Sequence, residues 1–200
     1  MRFELALTSI HPSTMPKTIE TPIASYPKIA VEKSDESPYF HLTVRDALTR
    51  INSKTAGKAL LQTLNDANPA GGGTIARFNG HNVIIQRAST TKESVGEVGL
   101  SGGNKAVAIS EEKSKIPGSG SKSVVFWHPN SYSVPGQGGR PIYIALAHEL
   151  VHSMHYAEGT RKPTVMDEEH FTVGLDPYDG MPICENSIRA EHNVKRRMFY

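Results

Sequence analysis

His148, Glu149 and His152 are the residues of this chain whose types and spacing point most directly to chemistry. Two imidazoles four residues apart on a helix lie one above the other on the same face, so both can reach a single cation. Neutral imidazoles suit zinc, and a zinc ion with an open position lowers the pKa of a coordinated water to about 7. A carboxylate one residue after the first ligand is placed to take that water's proton, the role expected of Glu149. A catalytic zinc also needs a third protein ligand. The longer form of the pattern would place Gly at 155 and His at 158, where this chain has His155 and Glu158. Glu169, on the next expected helix, is the preferred third ligand, with Glu185 and Asp176 as alternatives. Glu168 can accept the free N–H of a ligating imidazole and so fix its tautomer.

These residues need a helix to carry them and a second helix to oppose it. From Pro141 onward, Ile142, Ala145, Leu146, Leu150 and Met154 recur at helical spacing up to Gly159, and Pro141 suits a helix start. Further helices are expected over about Thr164 to Val173 and Cys184 to Val194. Upstream, helices are expected from Thr43, where Thr43 to Asp46 imitates a capping box, and from Thr55. A hairpin is expected about Asn79-Gly80, joining Thr74 to Phe78 with Val83 to Gln86. Lys105 to Ser110 and Ser123 to His128 read as strands, the latter as an edge able to pair with an extended substrate. The low-complexity piece Glu111 to Lys122 lies between them, and its Gly118 to Ser123 fails the pattern of a phosphate loop. Gly136 to Gly139, ahead of the motif, are expected to be linker. Helices, a small sheet, then helices argue for an α+β fold in one domain.

Composition narrows the function. With 200 residues, 38% of them hydrophobic, the chain can bury one real core. Its 22 basic and 20 acidic residues give a net charge of +2 and no basic stripe, so nucleic acid is not the expected partner. Cys184 is the single cysteine and cannot close an intrachain disulfide, which suits a reducing compartment. No apolar run is long enough to span a bilayer, and no Sec-type signal peptide is recognisable. Residues 1–40, rich in Ser, Thr and Pro, are expected to be a disordered secretion or targeting arm, with the folded domain over 41–200.

His148 to His152, then Asp167-Glu168-Glu169-His170-Phe171-Thr172-Val173-Gly174, then Glu185-Asn186 with Arg189, and finally Arg197-Met198-Phe199-Tyr200 resemble, in that order, the NleD-like family of bacterial type III effector zinc metallopeptidases. The order of motifs is also similar to that of the clostridial neurotoxin light chains. The resemblance covers about residues 141–200. It implies a zincin-like (gluzincin) domain with a small, mainly antiparallel sheet. His148, His152 and Glu169 would bind Zn²⁺, with Glu168 behind the site and Arg197 and Tyr200 facing the scissile carbonyl. It further implies delivery by a type III system into the host cytoplasm, there to act on a host protein; the chain itself is expected to be a monomer. Family relatives act on kinases of the mitogen-activated class, although no residue here selects that substrate. Two departures stand out: the interval from His152 to Glu169 is shorter than in the toxins, and Tyr200 ends the sequence.

Overall fold

The computed structural model describes residues 18–33, 37–72, 78–88, 104–129 and 141–199. Five strands, β1 (Thr18–Glu20), β2 (Ile29–Lys33), β3 (Val83–Arg87), β4 (Lys105–Ala108) and β5 (Ser123–Trp127), form one sheet in the order β1-β2-β3-β5-β4. Helices α1 (Phe40–Asn52) and α2 (Thr55–Asp66) follow β2, and α3 (Ile142–Glu158), α4 (Val165–Val173) and α5 (Glu185–Glu191) complete the chain. The α+β arrangement with one small sheet follows the expectation, but the strand directions do not. β2, β3 and β5 run parallel, and only the outer pairs β1/β2 and β4/β5 are antiparallel. The reason is the connection: α1 and α2 carry the chain back across the sheet between β2 and β3, as parallel pairing requires.

Two local expectations are corrected with it. β2 lies within the stretch expected to be a disordered arm, yet Tyr26, Ile29, Ala30 and Val31 are buried, so the folded unit includes residues 18–33; residues 1–17 lie outside the described ones. Asn79 and Gly80 do turn the chain at positive φ, 40° and 87°, and among the described residues β3 pairs with β2 and β5. Residues 74–77 of the expected hairpin's first arm, and 136–139 of the expected linker, lie outside the described ones. Finally, β5 is an interior strand and β4 stands at the edge.

Alternation along the strands decides which side faces the helices. Val83 and Ile85 of β3, with Val125 and Trp127 of β5, join one core with Val44, Leu48 and Ile51 of α1 and Leu60, Leu61 and Leu64 of α2. Ile84 and Val124 point the other way and pack with Phe78. α3 lies at the centre of the helical layer, touched by α1, α2, β4, β5, α4 and α5. Every residue from Tyr143 to Ala157 is buried, so this helix is enclosed all round and holds its side chains in a rigid mount.

α3 ends at Gly159, whose φ of 75° is left-handed. A Cβ there would come within 1.9 Å of the Ile116 carbonyl oxygen. Gly159→Ala is therefore expected to destabilise the fold by roughly 1–3 kcal/mol, read as a lowered melting temperature. An unchanged melt would show that the turn accommodates a side chain after all.

Candidate metal centre

α3 brings His148 and His152 together with their rings nearly perpendicular, centroids 4.8 Å apart at 83°. The two Nε2 atoms are 3.2 Å apart. α4 is capped by Thr164, whose Oγ1 accepts from the Asp167 N–H at 3.1 Å, and packs on α3 so that Glu169 faces both rings. Its Oε2 lies 3.2 Å from His148 Nε2 and its Oε1 3.3 Å from His152 Nε2.

The opposite nitrogens fix the tautomers. His148 Nδ1 lies 2.7 Å from Glu185 Oε2, and His152 Nδ1 2.9 Å from Glu168 Oε1. An ionised carboxylate only accepts, so each Nδ1 carries the proton and each neutral ring turns an Nε2 lone pair inward. Two lone pairs and the Glu169 carboxylate then converge, all within 4.8 Å of one another, and Glu169 Oε2 is buried with no hydrogen-bond donor. Such a set is repulsive by itself and is relieved by a cation. Bonds of about 2.0–2.2 Å in a tetrahedral zinc site separate the donors by about 3.3 Å, which the observed spacing matches.

The same groups bind a proton when no metal competes. Burial works against charge on His152, but hydrogen bonds to Glu168 and Glu169 and the charges of Glu169 and Glu149 outweigh it and push its pKa up to about 10. Burial likewise opposes ionisation of Glu168, yet hydrogen bonds from His152 and His155 hold it down at about 2. Glu169 is held well below the usual carboxylate range, its burial overcome by His148 and His152. A proton and a metal ion therefore compete for the His152 Nε2 lone pair.

Each ring is backed by a separate buried network. Behind His152, Glu168 also accepts from His155 Nδ1 at 2.8 Å and, through Oε2, from the Lys162 backbone N–H at 2.8 Å. Thr172 Oγ1 sits 3.0 Å from His152 Nδ1. Behind His148, fully buried Glu185 accepts from Arg189 Nε at 2.6 Å and from Arg197 NH1 at 3.3 Å. Asn186 then clasps the Arg197 backbone at both N–H and C=O.

Glu168 thus lies on the outer nitrogen of His152. Glu185, weighed as a metal ligand from the sequence, is on the Nδ1 side of His148 and not among the converging donors. Asp176 is exposed, and its carbonyl lies 3.2 Å from His170 Nδ1, so it is not brought to the cluster. Arg197 is buried, with its guanidinium on Glu185 and on the Phe199 carbonyl, 3.0 Å from Nε. Glu149 is buried beside His148 at 5% exposure, and Tyr200 lies outside the described residues. The sequence reading missed the support from Thr172, His155 and Arg189. The one available signal was the four-residue step from Glu185 to Arg189, the spacing of a same-face ion pair.

A buried helix offering His148, Glu149 and His152, with an acid from the following helix, on a small sheet with helices packed over one face, forms a candidate metal centre of the kind a metallopeptidase uses. The family model Peptidase_M91, described as "Effector protein", matches residues 28–200, and the chain belongs to that family. Among solved structures it is similar to the catalytic domain of Clostridium botulinum neurotoxin serotype F, with 16% identity over 72% of this chain and 52% of that one and a TM-score of 0.50. It is similar also to the botulinum neurotoxin type G light chain, with 17% identity over 82% of this chain and 55% of that one and a TM-score of 0.52. At such identities the likeness is one of fold, and the chain spans about half the length of these structures. No curated protein matches the sequence significantly.

Proposed function

We propose that the protein is a zinc-dependent endopeptidase that cleaves a host protein after delivery by a bacterial type III system into the host cytoplasm. The observation that carries this reading is the convergence of two Nε2 lone pairs and the Glu169 carboxylate within ion-pair distance of one another. His148, His152 and Glu169 are the ligands. When bound, zinc supplies Lewis acidity, lowering the pKa of a coordinated water to about 7 and polarising the scissile carbonyl. Glu149 accepts the proton of the attacking water and returns it to the departing amine nitrogen. Glu168 and Glu185 hold the two rings in their tautomers throughout, so the lone pairs do not have to be reoriented. Arg197 and Tyr200, by the family pattern, oppose the charge that develops on the carbonyl oxygen. The substrate is a host signalling protein, and the enzyme acts as a monomer.

Elemental analysis of the purified protein, dialysed against a weak chelator, tests the ligand set. One zinc per chain is expected in the wild type and much less than one in Glu169→Ala. A wild type that holds no zinc would turn the reading toward a module that only binds a host partner.

A further inference from the structure

His155 is a buried titratable side chain, 1% exposed, for which the reaction described above has no use. It follows His152 by three residues on α3, so the two rings share a helical face. Both Nδ1 atoms approach the same oxygen. Glu168 Oε1 lies 2.9 Å from His152 Nδ1 and 2.8 Å from His155 Nδ1. The other oxygen, Oε2, accepts from the Lys162 backbone N–H at 2.8 Å.

The His155 ring is itself held in place. Phe171 stacks on it with centroids 3.9 Å apart and planes 12° from parallel, and Lys162 Nζ stands 4.1 Å from the Phe171 centroid. Lys162 thus supplies one donor to Glu168 and packs against the ring that steadies another. Burial pushes the His155 pKa down and outweighs the pull of Glu168. The imidazole is therefore neutral, and its one proton sits on the nitrogen that faces the carboxylate.

A carboxylate orients a ligating imidazole only as well as it is itself held. Behind His148, Glu185 is held by Arg189 and Arg197. Behind His152, the donors that hold Glu168 are the Lys162 amide, His155 and the Thr172 hydroxyl. At Oε1 the His155 nitrogen is much the closer of the last two, 2.8 Å against 3.4 Å for Thr172 Oγ1. His152, His155 and Glu168 also stand close enough to chelate a cation, but both nitrogens that would bind it carry protons already committed to Oε1.

Resting on the zinc-site reading above, we propose that His155 is a positioning residue of the metal centre. Its Nδ1–H fixes Glu168 Oε1 where that oxygen holds the His152 ring with its Nε2 lone pair turned toward the metal.

Two variants separate the donor from the ring. His155→Phe keeps an aromatic ring against Phe171 and removes the N–H, whereas His155→Asn removes the ring and can set an amide N–H near the place of Nδ1. Zinc affinity of the full chain, measured by competition with a chromophoric chelator, should fall about tenfold in His155→Phe and stay within about threefold of wild type in His155→Asn. The asparagine variant, which leaves a cavity, should nonetheless melt at a lower temperature. With cobalt(II) in place of zinc, the visible absorption bands should move in His155→Phe and return toward the wild-type positions in His155→Asn. Wild-type affinity in His155→Phe, or an equal loss in both variants, would show that the N–H is not what matters; either result overturns the inference and leaves the three-ligand site standing. Two zinc ions per wild-type chain, one of them lost in both variants, would make His155 a ligand and overturn it as well. A wild type that binds no zinc removes the zinc reading, and this inference with it.

Discussion

Glu149→Gln is expected to bind metal as the wild type does and to lose cleavage by about a hundred- to ten-thousand-fold. The two side chains have the same shape, and the converging donors are His148, His152 and Glu169, so the exchange leaves the ligand set untouched. What disappears is the ability to take and return a proton. At 5% exposure the position admits little bulk water to stand in for the lost carboxylate. Zinc content and turnover of a peptide pool, measured on the same preparation, are enough to decide. Full metal occupancy with turnover within a few-fold of wild type would remove Glu149 from the mechanism. If instead the wild type also fails to cut, and a host partner binds both forms equally, the domain is a binding module.

Glu185→Ala should have the largest effect on stability. The side chain is fully buried and is shared by the Arg189 and Arg197 guanidiniums and the His148 ring. Truncating it strands two buried cations, a change that costs about 3–5 kcal/mol; for a domain of this size the melting temperature should fall by roughly 10 °C. Metal affinity should weaken about 10- to 100-fold, because His148 loses the partner that orients it and not a ligand of the metal. At saturating zinc this variant should still fill its site, while Glu169→Ala should not. The reverse pattern, with zinc absent from Glu185→Ala and retained in Glu169→Ala, would exchange the two acids' roles. Glu185→Gln, which keeps an acceptor for the arginines, should lose less stability than the alanine variant.

The helix that carries His148, Glu149 and His152 is the most legible part of the sequence. The four-residue step from His148 to His152 needs only a helix to become a chelate, and the apolar spacing about it supplied the helix. Glu169 was preferred because the next helix had to lie against α3, and it does. Glu185 shows the limit: helical spacing brings an acid near a histidine but does not say which ring nitrogen it meets, and that choice separates a ligand from its support. Arg197 is placed near the site by its motif, but no spacing in the sequence tells that Glu185 would hold its guanidinium. The fold was legible where periodicity was helical and obscure where pairing was distant. Prolines at 27 and 38 hid the buried residues 29–32 of β2, although both lie outside the strand. Asn79-Gly80 signalled a turn correctly, but no local signal shows that β3 pairs with the distant β2 and β5.

The order in which the sheet is assembled bears on when the protein can become active. Ile29 pairs with Val83, and Val83 with Ser123, so each central strand waits for a neighbour supplied much later in the chain. α3 emerges after all of them, and its histidines then gain Glu168, Glu169 and Glu185 only from the two helices that follow. A polypeptide made or threaded from its N-terminus exposes His148 and His152 before Glu169 and the two carboxylates that meet their Nδ1 atoms exist. An unfinished chain thus lacks the assembled cluster, which is complete only once α5 has docked.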